Sequence, residues 1–121
     1  MKLKIALFLS LLILICVNCR KSHDSTVDYA NYVVGTYKGL FSPGQLNGSV
    51  VLNKQSNSRV IIDLRIAGGD TLHYTNATVS DDGSGKLIIS LMTDGTTING
   101  SVNVTTLDCY FNQLHFIGTM Q

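Results

Sequence analysis

The sequence predicts an all-β fold, an eight-stranded antiparallel up-and-down barrel, preceded by a short N-terminal segment of a different character. Three observations carry this. Turn-forming clusters recur roughly every ten residues after Val33, the spacing of short strands in sandwiches and barrels. Between them, apolar and polar side chains alternate with period two, which puts one greasy face on each strand. No stretch in that region has a helical apolar stripe long enough to cover a sheet face, so closing the sheet on itself is the economical way to bury that face. Composition agrees. All eight acidic residues are Asp and none is Glu, and Asp favours turns where Glu favours helices.

The turn clusters are Ser42-Pro43-Gly44, Ser56-Asn57-Ser58, Gly68-Gly69-Asp70, Asp81-Asp82-Gly83, Asp94-Gly95 and Asn112-Gln113. They divide the region into strands over about 34–41, 46–54, 58–66, 71–79, 85–92, 95–102, 104–111 and 114–120. Pro43, the only proline, falls in a loop, where its missing N–H breaks no ladder. The third strand sets Val60, Ile62, Leu64 and Ile66 against Arg59, Asp63 and Arg65. The fourth is inconsistent: Leu72 and Tyr74 choose one phase, Ala77 and Val79 the other, and a bulge would reconcile them. The fifth sets Leu87, Ile89 and Leu91 against Lys86 and Ser90. The seventh turns Leu107, Cys109 and Phe111 inward and Asp108 outward. The eighth turns Leu114, Phe116 and Met120 inward and His115 outward. Links this short favour pairing of successive strands, and closure removes exposed edges. Gly39, Gly100 and Gly118 share the inward phase with Tyr37, Ile98 and Phe116. Small residues inside a barrel leave room, either for neighbouring rings or for a small apolar ligand.

Residues 1–18 read as an export signal. Lys2 and Lys4 precede an apolar run from Ile5 to Val17 broken only by Ser10 and Cys16. About 13 apolar residues make a secretory core and fall short of the ~20 a spanning helix needs. An uncleaved anchor helix and an ordinary secretory leader are the alternatives. Leu14-Ile15-Cys16-Val17-Asn18-Cys19 resembles a bacterial lipobox, in which a cysteine ends the run and receives lipid. Cys19, preceded by the modest Asn18, fits better than Cys16, preceded by the bulky Ile15. A lipidated cysteine would hold the protein on a membrane, placing it in the cell envelope as an outer-membrane lipoprotein facing the periplasm or the surface. Residues 19–32 then form a polar tether, in which 28–32 could make one helical turn, and 33–121 the barrel. Asp24-Ser25-Thr26 resembles the short O-glycosylation signal of Bacteroidetes envelope proteins, with Ser25 as acceptor.

The balance of nine Lys/Arg to eight Asp becomes about −1 once Lys2 and Lys4 leave with the signal. The remaining basic residues are scattered, so the clustered surface that nucleic acid requires is missing. No residue set forms a catalytic constellation, and no cofactor is implied. His73 and His115 lie on different strands and carry no metal-ligand spacing. Asp81-Asp82-Gly83-Ser84-Gly85 lacks the further oxygen ligands of a calcium loop. Cys109, between inward Leu107 and Phe111, reads as a buried hydrophobe. With Cys16 and Cys19 assigned to signal and anchor, it has no disulfide partner.

Gly35-Thr36-Tyr37-Lys38-Gly39, with the closing Thr97-Ile98-Asn99-Gly100-Ser101-Val102 and Leu114-His115-Phe116-Ile117-Gly118-Thr119, resembles small calycin-like, lipocalin-like barrel lipoproteins of the Bacteroidetes. Tyr37 stands where lipocalins carry Trp. The resemblance implies an anchored barrel with a non-catalytic binding role. Candidate ligand-lining residues are Tyr37, Gly39, Tyr74, Gly100, Phe111, Phe116 and Gly118. The partner is then a small apolar ligand. The alternative is a protein-interaction module, either an inhibitor of an envelope hydrolase or a surface-complex subunit, docking through outward Val51, Ile61, Ile88 and Ile117.

Overall fold

Alternation of this kind has one inexpensive solution, and the computed structural model adopts it. The structure describes residues 27–121. The signal segment, Cys16, Cys19 and Ser25 lie outside the described residues. A short helix, α1 (Tyr29–Val33), leads into β1 (Gly35–Ser42), β2 (Leu46–Ser56), β3 (Arg59–Ile66), β4 (Thr71–Asp81), β5 (Leu87–Thr93), β6 (Thr96–Asn103), β7 (Thr106–Phe111) and β8 (Leu114–Met120). Each strand pairs with the next, and β8 returns to β1, closing an antiparallel eight-stranded barrel. Closure runs from Tyr37↔Met120 to Ser42↔His115. The expected fold class and strand order are those found, with ends displaced by two residues at most.

The inward phase forms a single core. Tyr37, Phe41, Val50, Leu52, Val60, Ile62, Leu64, Ile89, Ile98, Leu107 and Phe116 are buried, as is Cys109. The phase conflict in β4 is resolved by a bulge. Val60 pairs with Ala77 and Ile62 with Tyr74, so β4 carries one extra residue between them. Asn76 takes the left-handed conformation there, φ 66°, a region Asn tolerates better than most residues. Gln55 of β2 holds the bulge from outside. Its Nε2 donates to Asn76 Oδ1 at 2.5 Å, and its Oε1 accepts from Asn76 N at 2.8 Å.

The interior is relieved of volume along one line. Gly48 faces Gly39 on β1, and Gly39 faces Gly118 on β8. A Cβ on Gly39 would lie 1.9 Å from the Ile117 carbonyl oxygen, so β1 and β8 approach too closely there for any side chain. Two rings lie over this row. A Cβ on Gly48 would meet Phe41 Cε2 at 2.5 Å, and one on Gly118 would meet Phe116 Cζ at 2.4 Å. The rings also touch each other, with centroids 4.7 Å apart and planes tilted by 46°. Such tilted pairs contribute beyond their buried area.

Candidate functional site

The two ends of the barrel are built differently. One end is plugged by α1. Asp28 caps the helix, its Oδ1 accepting from Asn31 N at 3.1 Å, as an N-cap carboxylate should. Asp28 also pairs with Lys54 on β2. The Lys54 ammonium holds the Asp28 carboxyl below the usual carboxylate range, against slight desolvation. Ala30 N donates to Asn57 O at 2.9 Å, tying the helix to the β2–β3 turn. Inside, the Tyr37 hydroxyl donates to Val33 O at 2.7 Å. Ala30 and Val33 are fully buried, so the folded unit takes in the last residues of the segment expected to be tether.

The opposite end has no such plug among the described residues. Inward-phase side chains there stay partly uncovered: Leu46 is 47% and Leu72 43% exposed, and Ile66, Tyr74, Leu91 and Leu114 pack on the core while remaining half-buried. Their registers place them on one rim, with Leu46 opposite Phe41, Leu72 opposite Leu64 and Leu114 opposite Phe111. Tyr74 on β4 and Phe111 on β7 reach across the lumen from non-neighbouring strands. Their rings stack with centroids 6.4 Å apart and planes within 17°. This pair is the floor of the open end.

The wall beside that floor is split. β4 and β5 pair from Asp81↔Leu87 only as far as Thr78↔Ser90. Thr78 makes the last stitch. Its Oγ1 lies 3.1 Å from Ser90 O and 2.9 Å from Ser90 Oγ. Beyond it β4 follows β3 and β5 follows β6, and the bulge at Asn76 marks the parting. A cleft of about 390 Å³ opens here, bounded by Asn76, Thr78, Ser90, Leu91, Met92 and Ile98, among others. That is within the ~300–1,000 Å³ range of small-molecule sites. Ile98 belongs to the core and Met92 is 84% exposed, so the cleft grades from the lumen wall to an adaptable thioether at its lip.

The structure brings together two of the seven expected ligand-lining residues, Tyr74 and Phe111. Tyr37 and Phe116 are sealed in the packed lumen, where burial pushes the Tyr37 hydroxyl up to about 12. Room at Gly118 is taken by the Phe116 ring. Room at Gly100 is taken by Cys109, whose Sγ would lie 2.6 Å from an added Cβ. Gly39 is covered by backbone. Of the two uses weighed for the inward glycines, neighbouring side chains take this space. Sequence reasoning missed Leu46, Leu72, Leu91 and Met92 as site residues. The phase conflict in β4 marks where that strand turns away from its neighbour, but no local pattern singles out these four side chains.

The polar candidates are dispersed. His73 Nδ1 lies 2.5 Å from Asp63 Oδ1 across β3–β4. His115 Nε2 lies 2.6 Å from Asp108 Oδ1 across β7–β8, four strands away. No three His, Cys or Asp side chains converge among the described residues. The Asp82 carboxylate is engaged within its own turn, accepting from Ser84 N at 2.8 Å and Ser84 Oγ at 2.6 Å. Those bonds, the hydroxyl first, lower its pKa. Burial, aided by the Asp108 charge, pushes the Cys109 thiol up to about 12, which leaves it almost no nucleophilic thiolate at neutral pH. The outward apolar residues form no single patch. Ile117 faces Leu40 across β8–β1, Val51 lies diagonal to Ile61 across β2–β3, and Ile88 stands between Ser80 and Ser101.

No family model, curated protein or solved structure matches the chain.

Proposed function

We propose that this protein is a lipid-anchored component of the cell envelope with a non-catalytic binding role. It takes a small apolar ligand at the open end of a lipocalin-like barrel. One observation carries the binding reading: core-phase side chains are left uncovered at one end, beside a wall whose strands part. Exposed inward Leu46 and Leu72 cost free energy in water, about 25 cal/mol for each Å² of apolar surface. A ligand lying over Tyr74 and Phe111 and between Leu72 and Leu91 would recover it. Support for an anchor comes from the lipobox-like run ending in Cys19 and from the outer face. Lys38, Asn53, Arg59, Arg65, Asn99 and Asp108 are exposed there, the reverse of a barrel that faces lipid along its length.

The test is titration with a fluorescent fatty acid whose emission rises in apolar surroundings, against the intact protein and Leu91→Asp. Saturable binding that weakens at least tenfold in Leu91→Asp supports the reading. Absence of saturable binding by chains of 8 to 18 carbons, or binding indifferent to Leu91→Asp, removes it.

A second reading, a docking module for an envelope protein, draws on the β7–β8 surface. Tyr110 is half-exposed and stacks on His115, with ring centroids 4.1 Å apart and planes within 2°, beside exposed Ile117 and Leu40. Aromatics of this kind anchor interfaces. Cross-linking through a photoreactive residue in place of Tyr110 separates this reading from the first.

A further inference from the structure

We infer that the helix-plugged end of the barrel rests on the bilayer, with Tyr32 and Val104 immersed in the lipid interface. This rests on the lipid-anchor reading and goes beyond it, because an anchor alone fixes proximity and leaves orientation free.

Three observations converge on this end. First, it exposes apolar side chains among the polar residues of its turns: Val104 is 83%, Tyr32 67% and Val27 46% exposed. A phenol with an apolar body and a polar tip is the kind of side chain that settles at a membrane–water boundary. Second, Val104 occupies the β6–β7 turn with φ 57°. A β-branched residue in the left-handed region is strained, and Gly or Asn would relieve it. Nothing in the core gains from this valine, since it points outward. Third, the chain leaves the barrel here. Val27 lies on the same rim, bounding with Tyr29, Tyr32, Leu87, Val102 and Val104 a cleft of about 480 Å³. Only seven residues, 20–26, separate it from Cys19, a path of eight Cα–Cα steps. Fully extended they span roughly 26–29 Å, and as a flexible chain roughly 15 Å. A lipid on Cys19 therefore holds this end, rather than the open one, next to the bilayer. Asp81 at the edge of the cleft, with Asp82 and Lys86 in the adjoining turn, gives the rim a slight negative balance, so contact is driven by apolar burial and does not depend on anionic lipid.

The chain has no tryptophan, so one introduced residue reports without background. Tyr32→Trp, Val104→Trp and, at the far end, Met92→Trp are made in the full chain, purified with its lipid and reconstituted into phosphatidylethanolamine–phosphatidylglycerol vesicles. Lipids brominated on the acyl chain serve as quenchers. Tryptophan at 32 and at 104 should shift to the blue and lose most of its emission to the brominated lipid. Tryptophan at 92 should emit as in water. If the protein floats with vesicles while all three report water, the anchor stands and the orientation falls. Quenching at 92 equal to that at 104 likewise overturns it. Protein that carries no lipid mass and stays at the bottom of the gradient defeats the anchor reading, and the orientation with it.

Discussion

Consider replacing Gly118 by alanine. The added methyl would sit 2.4 Å from Phe116 Cζ, 2.7 Å from Phe116 Cε1 and 2.8 Å from the Lys38 carbonyl oxygen. The first two contacts are with a ring that is itself fully buried and pressed against Phe41, so it has nowhere to retreat. Overpacking of this kind costs about 1–3 kcal/mol, and the rigid surroundings argue for about 3. Phe116→Leu alone removes the outer ring atoms and leaves a small void, at about 1–2 kcal/mol by comparison with larger truncations. Combining the two should cost less than their sum. Leucine has no atoms where Cε1 and Cζ were, so only the backbone contact at 2.8 Å remains for the new methyl. We expect a coupling of at least about 1 kcal/mol, well above the few tenths expected of independent sites. Urea unfolding followed by far-ultraviolet circular dichroism measures it. With slopes of about 1–3 kcal/mol per molar for small proteins, the coupling appears as roughly 0.3–1 M in midpoint. Strict additivity would show that the ring does not lie over Gly118, and that the interior holds free space after all.

Four further outcomes are expected. Gly39→Ala should be worse than Gly118→Ala and should gain nothing from Phe116→Leu, because its clash is with backbone; equal rescue in both would contradict the close approach of β1 and β8. Tyr37→Phe strands the Val33 carbonyl and should cost about 1–2 kcal/mol in the same urea assay, with faster amide exchange confined to α1. The fold favours the neutral Tyr37 phenol, raised from 10.0 to about 12, so its contribution is complete below pH 10 and drains away between pH 10 and 12; wild type should lose that stability over this window and Tyr37→Phe should not. Peptide mapping after thiol labelling at pH 8 should find Cys109 unmodified until denaturant opens the barrel, and labelling of the native protein at the rate of a free thiol would refute its burial.

The barrel was legible because its signal is redundant. In β3, β5, β7 and β8 every second residue is apolar, so a one-residue slip would expose a whole face. The bulge was legible too, since Leu72–Tyr74 and Ala77–Val79 could not share a phase on a regular strand. Its consequence was not legible. Whether β5 follows β4 past the bulge depends on packing between strands distant in sequence, and Leu91 and Met92 look the same either way. The inward glycines carried the opposite problem. Their phase could be read, but whether a glycine shelters a ligand or a neighbouring ring depends on the rotamers of Phe41, Phe116 and Cys109. Tyr74 and Phe111 come together only because their strands face each other across a closed barrel, a relation with no trace in local pattern. The short helix could be read as a single turn, while its role as a plug came from burial of Ala30 and Val33.

Any pull on the chain ahead of Val27 reaches α1 before it reaches the sheet. The helix is fastened by a few separate attachments: Asp28 to Lys54, Ala30 to Asn57, and the Tyr37 hydroxyl to Val33. These can let go one after another, like a fuse. The next element in line, β1, is bonded along both edges, to β2 and to β8, so freeing it means breaking two ladders rather than single contacts. A tug on the leash would therefore undo five residues of helix and stop there, lengthening the leash while the barrel keeps its shape.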